Sequence, residues 1–167
     1  MNFLKSILCF VFMVSFVNLS HASGQIPKEK NSFIGKKAKD FTLETLSAKK
    51  VNMTDFRDGQ SAIIFFWATW CPHCREQLAA LNANRQEIEE KGIKIILVDT
   101  GESADEARSY VKRNQIQLEV FLDEDQTAAE DYGLIGVPTF FFVDKKGVMK
   151  AVEHYLPENY EDILSKT

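Results

Sequence analysis

Apolar positions along the chain cluster in short runs of two kinds, separated by polar segments. Ala62 to Trp67 (Ala-Ile-Ile-Phe-Phe-Trp) and Ile93 to Val98 are continuous apolar runs, the pattern of strands covered on both faces. Between them Leu78, Leu81 and Ile88 keep a helical period, and Gly92 predicts the end of that helix. Ser103 with Glu106 forms a capping box that opens a helix through Tyr110 and Val111. Val120 to Leu122 reads as a short strand, and Thr127 to Tyr132 as a short helix stopped by Gly133. Thr139 to Val143 is a further strand, which Lys145-Lys146-Gly147 turns into an antiparallel partner at Val148 to Val152. Pro157 predicts the start of a last amphipathic helix carrying Tyr160, Ile163 and Leu164. Upstream, Phe41 and Leu43, then Val51 and Met53, read as two short strands around a polar turn at Ser47 to Lys50, with order beginning near Ala38. Strands alternating with helices and closing on a hairpin predict one α/β domain over residues 36–167, with a central sheet of mixed direction.

The first 22 residues differ in kind. Lys5 is their one charged residue, Ser6 to Val17 is almost wholly apolar, and Ser20-His21-Ala22 places small residues before a cleavage point. This is the pattern of a secretory signal peptide over 1–22, and the apolar run is shorter than the ~20 residues a spanning helix needs. An uncleaved membrane anchor is the alternative. Cys9 lacks a lipobox around it and lies too early for lipidation. Residues 23–35 carry no apolar period and read as a flexible leader.

Composition narrows the function classes. The chain has 167 residues, enough for one domain with a proper core, and a formal net charge of −4 with no basic face to suit a nucleic acid. Cleavage would remove Cys9 and His21. Of the three cysteines, Cys71 and Cys74 would remain, three apart, in a protein bound for an oxidising compartment.

Their position suggests chemistry. Cys71 stands where a buried strand gives way to a helix, and Pro72 fills the first helical turn, where a missing N–H costs nothing. Free N–H groups and the positive end of the helix dipole favour a thiolate, the reactive form, so Cys71 is the expected nucleophile. Cys74, one turn along the same face, is placed to attack a mixed disulfide at Cys71 and release the product. A purely structural staple is the plain alternative, but so short a loop restrains the unfolded chain little. His73, when protonated, would favour the Cys71 thiolate and the dithiol form. Cys71, His73 and Cys74 are too crowded for a tetrahedral metal site, so no metal and no cofactor are expected.

The segment Phe66-Trp67-Ala68-Thr69-Trp70-Cys71-Pro72-His73-Cys74-Arg75 resembles the active-site segment of thioredoxin-like proteins of the TlpA/ResA type, in the AhpC/TSA–redoxin superfamily. Ala38-Lys39-Asp40-Phe41-Thr42-Leu43 upstream and Tyr132-Gly133-Leu134-Ile135-Gly136-Val137-Pro138-Thr139 downstream share that likeness, which runs from about residue 34 to the C-terminus. The resemblance implies a thioredoxin-like fold with an N-terminal β-hairpin extension. It also implies a redox-active Cys71–Cys74 disulfide and an exported disulfide reductase, several relatives of which serve cytochrome c maturation. Partners would be extracytoplasmic protein thiols and disulfides, together with a membrane or periplasmic redox partner. By the same resemblance Pro138 matches the family's cis-proline beside the cysteine pair, leaving backbone groups of Val137 free for a substrate strand. Trp67 would be core, and Trp70 part of the docking surface.

Three positions depart from the pattern. Phe65 stands where thioredoxins carry a buried Asp, and Gln77 where the TlpA/ResA pattern has a Glu. Glu76 is adjacent to Gln77 but about 100° away on the helix, so no proton acceptor for Cys74 is identified. Pro72-His73 resembles the dipeptide of DsbA-type oxidants, which leaves the direction of electron flow open between a reductase and an oxidant or isomerase partner. Two rivals stand beside these. A peroxiredoxin would need Thr or Ser where Ala68 stands, with Thr69 out of register. A non-catalytic thioredoxin-like adaptor or metal chaperone would hold its partner at the Trp70/Pro138 surface without using the cysteines.

Overall fold

A computed structural model of the protein describes residues 33–166. The expected signal peptide at 1–22 and the expected leader as far as residue 32 lie outside the described residues. At the start of the described chain, Gly35 N donates to the Met149 carbonyl at 2.8 Å and Lys37 bridges Val148.

The chain begins with a hairpin, β1 (Thr42–Thr45) and β2 (Lys50–Asn52), followed at once by a short helix α1 (Met53–Arg57). Then come β3 (Ser61–Trp67), α2 (Pro72–Glu90), β4 (Ile93–Thr100), α3 (Ala104–Arg113), β5 (Val120–Asp123) and α4 (Thr127–Asp131). A second hairpin, β6 (Thr139–Val143) and β7 (Met149–Glu153), leads to α5 (Tyr160–Ser165). The strands form one sheet in the order β2-β1-β5-β4-β3-β6-β7. β3 pairs in parallel with β4, and β4 with β5, while the other pairings are antiparallel. The predicted mixed sheet is present, and the N-terminal hairpin forms its edge beyond β5.

The continuous apolar runs are explained by two half-cores. Ile63, Phe65 and Trp67 of β3 face α2, packing with Leu78, Leu81, Ile88, Cys71 and Cys74. Ala62, Ile64 and Phe66 face the other side, with Met53 of α1, Ala128 of α4, Tyr132 and Phe141. Every residue of β3 is therefore buried.

Two local expectations are corrected. Met53 does not continue a strand. The Asn52 side chain accepts the Asp55 N–H at 3.1 Å, so Met53 opens a capped helix and is buried as its first residue. Pro157 does not open the last helix, which starts at Tyr160; Pro157 precedes it in a turn whose carbonyl accepts Tyr160 N–H at 3.3 Å. The capping box of Ser103 and Glu106 is present in both directions.

What positions the site is the meeting of two chain ends. β6 runs antiparallel to β3 with Thr139 opposite Phe66, so residues 137–138 arrive beside the point where β3 gives way to α2. The loop that delivers them starts at Gly133, where φ is +59° and an added Cβ would stand 3.0 Å from the Phe33 ring. Glycine is required there by conformation and by space.

Candidate functional site

Cys71 is the N-cap of α2. Its extended backbone (φ −87°, ψ 112°) lets Sγ turn back and accept the Cys74 N–H at 3.2 Å. The sulfur therefore takes one of the orphan donors of the helix start, where the backbone dipole also favours negative charge. Pro72 occupies the first helical position, as its lack of an N–H permits. No acidic residue lies in the first turn to oppose that field.

Cys71 and Cys74 are joined as a disulfide, with Cα atoms 5.2 Å apart. The two sulfurs are not equivalent to a visitor. Cys74 is completely buried against the core, whereas Cys71 keeps 5 % exposure and lies 3.7 Å from the Val137 carbonyl oxygen. The Val137–Pro138 peptide is cis, as the resemblance implied. Its loop is held from behind: Thr139 Oγ1 donates to the Gly136 carbonyl at 2.7 Å, and His154 Nδ1 lies 2.9 Å from the Pro138 carbonyl.

Near the sulfurs the surface carries exposed apolar side chains. Trp70 is 68 % exposed, and Ile135, in the loop before the cis-proline, is wholly exposed. Trp67 is fully buried, as expected of a core residue. His73 is exposed, and its Nδ1 lies 3.5 Å from Glu76 Oε2 one turn along α2. Among the described residues no group of three or more His, Cys, Asp or Glu side chains could hold a metal ion.

Three contacts escaped the sequence reading. Gln77 Oε1 accepts the Leu156 N–H at 2.7 Å, so this residue ties α2 to the segment before α5. His154 braces the cis-proline loop. Glu102 accepts both the backbone N–H and the hydroxyl of Thr69, the latter at 2.6 Å, and so anchors the segment leading into Trp70 and Cys71. The Gln77 and Glu102 contacts join residues far apart in the chain and have no signature in local spacing. The His154 contact could have been suspected from the predicted hairpin, which brings the end of the last strand beside Thr139.

The AhpC/TSA family model matches residues 34–152. The thiol-disulfide oxidoreductase ResA of Bacillus thuringiensis (strain Al Hakam) is 32% identical over 137 residues, covering 82% of this chain and 77% of that protein. ResA of another B. thuringiensis strain is 28% identical over 162 residues, covering 96% and 93%. The solved thioredoxin domain of a thiol-disulfide oxidoreductase from Bacteroides vulgatus superposes with a TM-score of 0.69 at 23% identity, over 78% of this chain and 94% of that one. The helix-capping cysteine, its buried partner one turn on and the cis-proline beside them all lie within the matched residues 34–152. The chain belongs to the AhpC/TSA family, among its thioredoxin-like thiol-disulfide oxidoreductases of the TlpA/ResA type.

Proposed function

We propose that the protein reduces disulfides of extracytoplasmic proteins by dithiol–disulfide exchange through Cys71 and Cys74. The observation that carries this reading is the Cys71 sulfur itself, which caps α2, accepts a backbone N–H and is the more accessible of the pair. In the reduced protein the Cys71 thiolate attacks a substrate disulfide, forming a mixed disulfide and releasing one substrate thiolate. Cys74, as thiolate, then attacks the Cys71 sulfur and expels the second substrate thiolate. Two electrons pass to the substrate, two protons from the cysteine thiols end on the substrate thiols, and the protein is left as the disulfide.

The surroundings suit an extended peptide. The backbone of Val137, beside the cis-proline, would pair with a substrate strand, and the exposed Trp70 and Ile135 would offer it apolar contact. A groove of about 430 Å³ lies at the cis-proline, lined by Leu134, Ile135, Pro138, Val152 and His154, where residues flanking the substrate cysteine would rest. An extracytoplasmic place is supported by the signal-like N-terminus; among the described residues no helix is long and apolar enough to cross a membrane. The electron donor would be a membrane or periplasmic redox partner, and cytochrome c maturation is one route such a reductase could serve.

The Pro72-His73 dipeptide favours a second reading, a DsbA-like oxidant. The TlpA/ResA-type scaffold that carries the cysteine pair and the cis-proline weighs against it. A peroxidase reading is disfavoured by the hydroxyl of Thr69, which is committed to Glu102 rather than turned to the sulfur. Equilibrating the protein against glutathione buffers decides direction. The expected potential lies well below that of DsbA-type oxidants, about −120 mV; a value close to that one overturns the reductase reading.

A further inference from the structure

Two buried aspartates stand at the ends of neighbouring strands, and they are treated very differently. Asp123, on β5, accepts the Ala128 and Ala129 N–H groups of α4 at 2.9 and 2.8 Å. Asp99, on β4, is equally buried, yet neither of its oxygens receives a hydrogen bond from an N–H or hydroxyl donor. Its cross-strand neighbour on β3 is Trp67, whose indole N–H is also buried and unpaired. Both side chains lie on the face of the sheet that carries Cys71 and Cys74.

The charged groups facing Asp99 all have its own sign: Glu102 from the turn after β4, Glu106 from α3 and Glu124 from the turn after β5. β3 contributes the neutral indole of Trp67, and β5 the apolar Leu122. α2 contributes Cys74 on this side of the sheet. Arg75 of α2 and Arg113 of α3 face Tyr110, whose ring lies 5.6 Å from that of Trp67. Burial first, and then the neighbouring carboxylates, push Asp99 up to about 8. At neutral pH it holds a proton.

A protonated carboxyl is a donor, and the Glu102 carboxylate lies within hydrogen-bonding reach to accept from it. Two carboxylates cannot satisfy one another without a hydrogen between them. Glu102 in turn receives the N–H and the hydroxyl of Thr69, two residues before Cys71. We propose that Asp99 is a positioning residue of the redox site: its carboxyl hydrogen holds Glu102, Glu102 holds Thr69, and loss of that hydrogen frees the Thr69–Trp70 segment in front of Cys71. Only the last link rests on the redox reading of Cys71; the proton and the loop can be followed without it.

The sign of the linkage is fixed. Unfolded, Asp99 ionises near 3.8; folded, it does so at about 8. Between those values the folded protein binds more protons, so the stability this group contributes falls as pH rises through the window. Asp99→Asn removes that slope.

The test follows Trp67 emission in a Trp70→Phe background, where it is the one tryptophan left, from neutral to alkaline pH. A step with a midpoint near 8 is expected, absent after Asp99→Asn and moved to lower pH after Glu102→Gln, which removes a like charge. In the reduced protein with Trp70 intact, Cys71 alkylation by iodoacetamide should show a second inflection at the same midpoint. That inflection should vanish in Thr69→Val, which removes the hydroxyl donor to Glu102. An emission profile unchanged by Asp99→Asn, or an unmoved midpoint in Glu102→Gln, overturns the proposal. An emission step that responds as expected beside a featureless alkylation profile overturns its link to Cys71 while leaving the redox reading untouched.

Discussion

Cys74→Ser is expected to collect covalent adducts with protein thiols at Cys71, and Cys71→Ser to collect none. The asymmetry follows from the two environments. Cys71 sits at the helix cap with its sulfur on a backbone N–H and a narrow opening beside Val137, whereas Cys74 is sealed in the core below it. A mixed disulfide formed at Cys71 is normally released by Cys74, one turn away, and without that thiol it persists. Non-reducing electrophoresis of the protein after exposure to oxidised substrate reads the outcome. Disulfide-exchange activity should fall to the uncatalysed rate in Cys71→Ser. Equal trapping by the two variants would mean that neither sulfur is favoured, and the assigned roles would be wrong.

Phe65→Ala is expected to cost about 3–5 kcal/mol of stability, the range for removing a large aromatic from a packed core. Phe65 is fully buried and stacks on Phe140 of the adjacent strand, with ring centroids 4.2 Å apart and planes 13° from parallel. It lies on the α2 side of the sheet, so its loss opens a cavity beneath the helix that carries both cysteines. Against a typical total of ~5–15 kcal/mol, that is a large fraction. Urea unfolding of the reduced variant measures it, and a loss under about 1 kcal/mol would show that the site collapses around the gap.

Phe65 also shows how far local pattern can be trusted. As part of the run Ala62 to Trp67 it could be read as a buried strand residue, because burial on both faces needs nothing but continuous hydrophobicity. The redox pair was legible for a similar reason: strand, turn, Cys71-Pro72-His73-Cys74 and helix are contiguous in the chain, so cap geometry follows from order alone. The cis-proline could be placed only through a resemblance, since nothing near Val137-Pro138 in the chain points at Cys71.

The misread segments had competing local chemistry. Met53 continues an apolar alternation, but the Asn52 side chain captures the Asp55 N–H and starts a helix there. Pro157 is a good helix opener in isolation, yet the chain completes a turn before α5 begins at Tyr160. The carboxyl pair behind the site was invisible for a different reason. Asp99 reads as the polar end of a strand until the register of β3 against β4 sets it beside Trp67, and Glu102 reads as a loop acid until it meets Thr69. Gln77, taken as a missing glutamate, is spent on the backbone of Leu156.

The proposed exchange depends most on the Cys71 sulfur being an anion at neutral pH because of where α2 begins. The rate of iodoacetamide modification of Cys71 against pH, measured in the reduced Cys74→Ser protein, tests this directly. A half-maximal rate well below pH ~8.5, the ordinary thiol value, is predicted. A midpoint at or above that value would contradict it, leaving a cysteine that the helix end does not activate.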